Sequence, residues 1–155
     1  MKPVDQLQTM ALTCQEICQG EVPWVALGNF MNDWFDYAKD RRAELVAEPI
    51  VLPGSPDSER VRWAAFCAAS VEYLCERYGI PSPSWVQHPA YCLPEPWFDA
   101  LSPQKPQVRE RLLHQTPWPF VKRNIYCGDR VFANKWEVVE QYHRLSPGEP
   151  SSTLP

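Results

Sequence analysis

Four groups of side chains in this chain have types and spacings that chemistry could use. Cys14 and Cys18 stand four apart, and Cys67 and Cys75 eight apart. On helices each pair shares a face, and four thiolates on two helices are a possible zinc site. No CxxC or CxxH knuckle accompanies them, and buried cysteine is commonly a small hydrophobe, so the spacing favours core packing. His88, His114 and His143 share no ligand spacing, and a Cys–His nucleophile built on Cys92 or Cys127 requires a proximity that sequence does not supply. Asp33, Asp36 and Asp40 recur at steps of three and four. Paired carboxylates serve acid–base work or Mg²⁺, but one solvated helix edge explains the same spacing. Phosphate loops, dinucleotide fingerprints, nucleophile elbows and zinc-protease motifs are absent, and six glycines leave no glycine-rich cradle. The expectation from these residues is no catalyst, no cofactor and no metal, with a cysteine-containing metal protein or an unrecognised enzyme as the alternative.

The fourth group is the stretch from Thr116 to Asp129. Pro117 and Pro119 fix their own φ and bias the preceding residues towards extended backbone. Trp118 and Phe120 are held between and after them, and Lys122, Arg123 and Asn124 follow. The wider basic group adds Lys105, Arg109, Arg111, Arg130 and Lys135, with Tyr126 as a further aromatic neighbour. Aromatics beside cations suit base stacking. They also suit protein interfaces, which enrich arginine and aromatic residues, and they suit internal packing. The protein-contact reading takes Trp118, Phe120, Lys122, Arg123, Asn124, Arg109 and Arg130 as partner-binding residues. The net charge of −4 speaks against a general polyanion binder. That charge is uneven: residues 1–103 hold seven Lys/Arg against fourteen Asp/Glu, and residues 104–155 hold eight against five. Either the two halves attract each other when packed, or the second half offers a cationic surface to an acidic partner.

The elements that must position these groups read as helices joined by stiff connectors. With 155 residues the chain is one domain long, and its apolar fraction of 45% is enough for a core without staples. Seventeen prolines exclude long unbroken helices throughout, and seven tryptophans must be covered somewhere. Apolar steps of three and four predict a first helix over 4–18 and a main helix over 23–47, whose stripe contains Trp24, Leu27, Phe30, Met31, Trp34 and Phe35. The loop 49–57 leads to a third helix over 59–78, with Asp57 or Ser58 as N-cap, Gly79 as the stop and Pro81 beyond it. The proline-rich stretch 80–106 also carries Trp85, Tyr91, Trp97 and Phe98, so it is expected to wrap the helices rather than link domains. A fourth helix over 107–115 and a last one over 130–144, with Phe132, Trp136, Val139 and Tyr142 on one side, complete a domain of 1–145. The Ser/Pro-rich residues 146–155 read as a disordered tail. The expected class is all-α, about five helices with at most a short β element.

The start of the sequence has no apolar stretch of signal-peptide length, and no run reaches the roughly 18 apolar residues of a membrane span. A cytoplasmic protein with reduced cysteines is expected.

The residues from Trp85 through Asp129 resemble the C-terminal half of a group of small, largely uncharacterised bacterial proteins. Shared elements are a Pro-x-Trp segment (Pro83-Ser84-Trp85), an aromatic pair (Pro96-Trp97-Phe98), a helix, and a Ser/Thr-Pro-x-x-Phe-x-x-Arg-Asn-Ile segment running from Thr116 to Ile125. An Asn-Phe-x-x-Asp-Trp segment at 29–34 is similar as well. The group often carries a longer arginine run where this chain has Val121-Lys122-Arg123, which weakens a nucleic-acid reading. Its members look like gene neighbours of nucleotidyltransferase-like or other toxin-antitoxin components. The resemblance implies a binding or antitoxin-like protein, and no catalytic residues carry over.

Overall fold

The computed structural model describes residues 6–52, 54–98, 105–129 and 131–132. It is mainly helical, and one helix organises it: α4 (Ser58–Tyr78), against which the helix Met10–Cys18, the turns Ser84–Gln87 and Pro89–Tyr91 and the short helix Trp118–Val121 pack. Its run of Ala64, Ala65, Ala68 and Ala69 lets neighbours approach closely, and more than half of its residues are buried. Both ends are as the sequence requires. The Asp57 carboxylate accepts the Arg60 N–H at 2.8 Å, and Gly79 closes the helix at φ 73°, with the Ile80 N–H returning to the Cys75 carbonyl.

The first helix, α1 (Met10–Cys18), starts later than its apolar spacing suggests. Thr9 caps it by accepting the Leu12 N–H, and Gln8 before it is fully buried, donating to Thr13 and Glu16. The predicted main helix is broken into four pieces. α2 (Pro23–Asn32) passes into a π turn (Asp33–Tyr37), a 3-10 turn (Lys39–Arg41) and then α3 (Arg42–Ala47). The break is marked by the Ala38 N–H reaching Asp33 O at 2.8 Å, five residues back. Its result is visible at Arg42, whose guanidinium lies 5.1 Å from the Trp34 ring and 4.8 Å from the Tyr78 ring while donating to the Trp34 carbonyl. Two expectations for this region are corrected. Trp24 is not core but 41% exposed. Asp33 is not a solvated carboxylate, because it accepts the Gln8 N–H at 2.8 Å and ties the start of the chain to the end of α2.

After α4 the chain wraps as its prolines suggest. Two 3-10 turns (Ser84–Gln87 and Pro89–Tyr91) lay Trp85 and Tyr91 against the core. The Trp85 indole donates to Val46 O and the Tyr91 hydroxyl to Ile50 O. The short strand β1 (Trp97–Phe98) pairs in parallel with β2 (Ile125–Tyr126), Trp97 opposite Ile125. Between them come α5 (Pro106–Gln115) and the single turn α6 (Trp118–Val121). Of the predicted last helix only Val131 and Phe132 are described. Phe132 is buried and stacks on Tyr73 at 5.9 Å. Arg130, the remainder of that helix and the tail lie outside the described residues. No described helix is long and apolar enough to cross a membrane.

Candidate functional site

The stretch from Thr116 to Gly128 folds into a knot that ties α4, the wrap and α5 together. Thr116 begins it: its hydroxyl donates to Leu112 O at 2.6 Å and accepts the Gly128 N–H at 2.8 Å. Gly128 stands at φ 80°, a backbone conformation that selects glycine, and a Cβ there would lie 3.3 Å from Leu112 Cδ2. Pro117 and Pro119 start the α6 turn, and its two aromatics face opposite ways. Phe120 is 1% exposed, packed on Phe66 at 5.4 Å and Tyr73 at 5.8 Å, whereas Trp118 is 67% exposed.

The cations of this stretch turn inwards. Arg123 is 1% exposed, and its Nη1 donates to Glu72 Oε1 at 2.8 Å and to Pro119 O at 2.6 Å, its Nη2 to Val86 O at 2.6 Å. Lys122 Nζ donates to Glu72 Oε2 at 2.8 Å and to Gln87 Oε1 at 2.9 Å. Burial pushes the Glu72 carboxyl up, but the hydrogen bonds from Lys122 and Arg123 outweigh it and hold the group below its ordinary value. Asn124 takes a left-handed backbone, φ 66°, and its side chain donates to Leu93 O at 2.7 Å. Its own carbonyl accepts the Trp97 N–H at 2.8 Å, which sets the β1–β2 register.

Of the seven residues expected on a contact surface, Phe120, Lys122, Arg123 and Asn124 are therefore joined to the protein's own interior. For Lys122 and Arg123 the physical reason is Glu72, which supplies in mid-α4 the counter-charge they require. Arg109 lies on the exposed side of α5 with its guanidinium 4.6 Å from the Phe98 ring, which stacks on Tyr126 at 5.0 Å. Trp118 is the aromatic that remains outward, with Leu113 of α5 also half exposed. The charges most central to a nucleic-acid reading, Lys122 and Arg123, are spent internally. Glu72 and Gln87 escaped notice in the sequence. Glu72 sits on the stripe Ala65–Ala68/Ala69–Cys75, and a carboxylate at a core position of an alanine-rich helix is the signal that marks it.

Cys14, Cys67 and Cys75 are buried and Cys92 is exposed, and of the histidines His143 lies outside the described residues. Cys14 and Cys67 meet where α1 crosses α4, with Cys18 beside Cys14, and Cys75 lies apart from them. Its hydrogen bond to Cys14, together with burial, raises the Cys67 thiol well above the ordinary range. Burial takes Cys18 to about 11 and Cys75 to about 12. Among the described residues no group of three or more His, Cys, Asp or Glu is placed to hold a metal ion. His88 Nδ1 accepts the Ala90 N–H and so caps a 3-10 turn.

Compared with family models, with curated proteins and with solved structures, the chain gives no match.

Proposed function

We propose that the protein is a non-enzymatic interaction module, an antitoxin-like or regulatory partner of another bacterial protein, acting in the cytoplasm through Trp118 and the adjoining face of α5. The observation that carries the reading is the exposure of Trp118, at 67%, on a turn whose next two residues, Pro119 and Phe120, are buried. A large indole fixed in place by proline and by an anchored neighbour loses little freedom on binding, which is the economy of an interface anchor. Leu113 adds apolar surface, no residue of α5 is buried, and Lys105, Arg109 and Arg111 outnumber Glu110 along it. That balance favours a partner with an acidic rim around an apolar recess.

The test is capture by the folded wild-type chain and by Trp118→Ala, followed by reconstitution with the purified captured protein. The reading expects a partner that the wild type holds and the variant releases. It is abandoned if every protein held by one is held equally by the other.

A further inference from the structure

A second surface feature lies away from α6. Between the turn joining α1 to α2 and the first turns of α4 there is a cavity of about 580 Å³, closed on one side by β1. That volume falls within the roughly 300–1,000 Å³ of small-molecule sites. Its apolar lining includes Ile17, Val22, Trp63 and Trp97. The two indoles stand edge to face, centroids 5.3 Å apart and planes at 83°, so they form two walls of a corner. Trp24, 6.1 Å from Trp63 and itself part exposed, extends the aromatic surface.

The polar lining divides into groups already engaged and groups not. Asp57 and Arg60 pair with each other at 3.1 Å, Asp57 caps α4, and Arg60 Nε donates to Cys18 O. Glu21 accepts the Val22 N–H. Glu59 and Arg62 line the cavity, are exposed, and form no hydrogen bond or ion pair among the described residues; Arg62 only lies 5.9 Å over the Trp97 ring. Three apart on α4, they stand on neighbouring positions of one helix face. A simple anion here would meet Arg62 but be repelled by Glu59, and a simple cation the reverse. A neutral apolar ligand would leave both charges partly desolvated without a partner.

We infer that the cavity binds a small aromatic zwitterion of amino-acid or dipeptide size, with its ring in the Trp63–Trp97 corner, its ammonium at Glu59 and its carboxylate at Arg62. The test is a titration of the full chain followed through the indole N–H resonances of Trp63 and Trp97. The probes are phenylalanine and phenylalanyl-phenylalanine, with phenylalanine amide and N-acetylphenylalanine as forms lacking one charge. A zwitterionic probe should shift both resonances saturably at millimolar concentration or below. The forms lacking one charge should bind about tenfold more weakly, as should the zwitterion to Glu59→Gln or Arg62→Gln, each having lost one charged hydrogen bond. Trp118→Ala should leave the titration unchanged, which separates this site from the α6 face. Absence of a saturable shift with both zwitterions, or equal affinity for the forms lacking one charge, overturns the assignment.

Discussion

Arg123 and Glu72 stand 51 positions apart in sequence and form a 2.8 Å ion pair inside the protein. The guanidinium is fully covered, and its remaining bonds run to two backbone carbonyls, one in α6 and one in the wrap. A single side chain thus fixes three segments on one carboxylate. Lys122 completes the group from the solvent edge, with 22% of its side chain exposed.

Removing the carboxylate should therefore cost far more than the pair itself contributes. Glu72→Ala leaves a buried guanidinium without its counter-charge, a change that costs about 3–5 kcal/mol. Replacing both partners, Glu72→Leu with Arg123→Met, should recover much of that loss, since an apolar pair needs no desolvation of charge. Lys122→Ala, at the wetter position, should cost about 1 kcal/mol. Urea unfolding of the four proteins measures this, and a Glu72→Ala loss no larger than that of Lys122→Ala would show that the buried charge is relieved by other means.

The same carboxylate sets a pH dependence. Its folded pKa is below the ordinary 4.5, so the unfolded chain binds its proton first as pH falls. Stability from Glu72 is then fully present above that ordinary value and is lost as pH drops through the lower folded value. Glu72→Gln should be less stable at neutral pH, and its difference from wild type should shrink below pH 4.5. Unfolding midpoints taken across the acid range check the sign; a difference that grows on acidification contradicts it.

How far this was legible in the sequence differs from element to element. α4 announced itself through its alanines, its Asp57 cap and its Gly79 stop, because those signals are local. The wrap was legible because proline fixes backbone wherever it stands, and the mainly helical class followed. The π turn at Asp33–Tyr37 was not, since one extra residue in a turn barely disturbs an apolar spacing of three and four. Nor was the inward turn of Lys122 and Arg123. Adjacent cations after an aromatic pair read as surface until their counter-charge is found, and Glu72 lies too distant in sequence for any local pattern to join them. Trp118 and Phe120 are alike as sequence, and only packing against Phe66 and Tyr73 separates the buried ring from the exposed one.

Asn124 offers a test of backbone against side chain. At φ 66° a residue with a Cβ is disfavoured, and the side chain also donates to Leu93 O. Asn124→Ala should lose both the hydrogen bond and tolerance of the left-handed backbone, about 2 kcal/mol together. Asn124→Gly keeps that backbone accessible and should be less destabilised by about 1 kcal/mol. Equal unfolding midpoints for the two variants would remove the backbone argument.

Thiol reactivity should separate the cysteines by burial. Cys92 is exposed, while Cys14, Cys67 and Cys75 are buried. With Cys75 at about 12, essentially no thiolate exists there at neutral pH. In the native protein the fastest phase of reaction with a disulfide reagent should belong to Cys92 and vanish in Cys92→Ser. The three buried thiols should react only at the rate of unfolding. Fast labelling of Cys67 in the folded chain would mean that the α1–α4 contact opens readily.

Trp118 separates a structural tryptophan from an interface one. Its indole is largely in solvent and its neighbours carry the packing, so Trp118→Ala should change stability by no more than about 0.5 kcal/mol. As an interface anchor it should contribute about 2 kcal/mol or more to association, roughly thirtyfold in affinity for the partner. Phe120→Ala should behave oppositely, costing about 3–5 kcal/mol in folding by emptying the space between Phe66 and Tyr73. Thermal unfolding and affinity measured on the same preparations distinguish the two roles. If Trp118→Ala unfolds as readily as Phe120→Ala, the indole is a packing residue and the face around it loses its anchor.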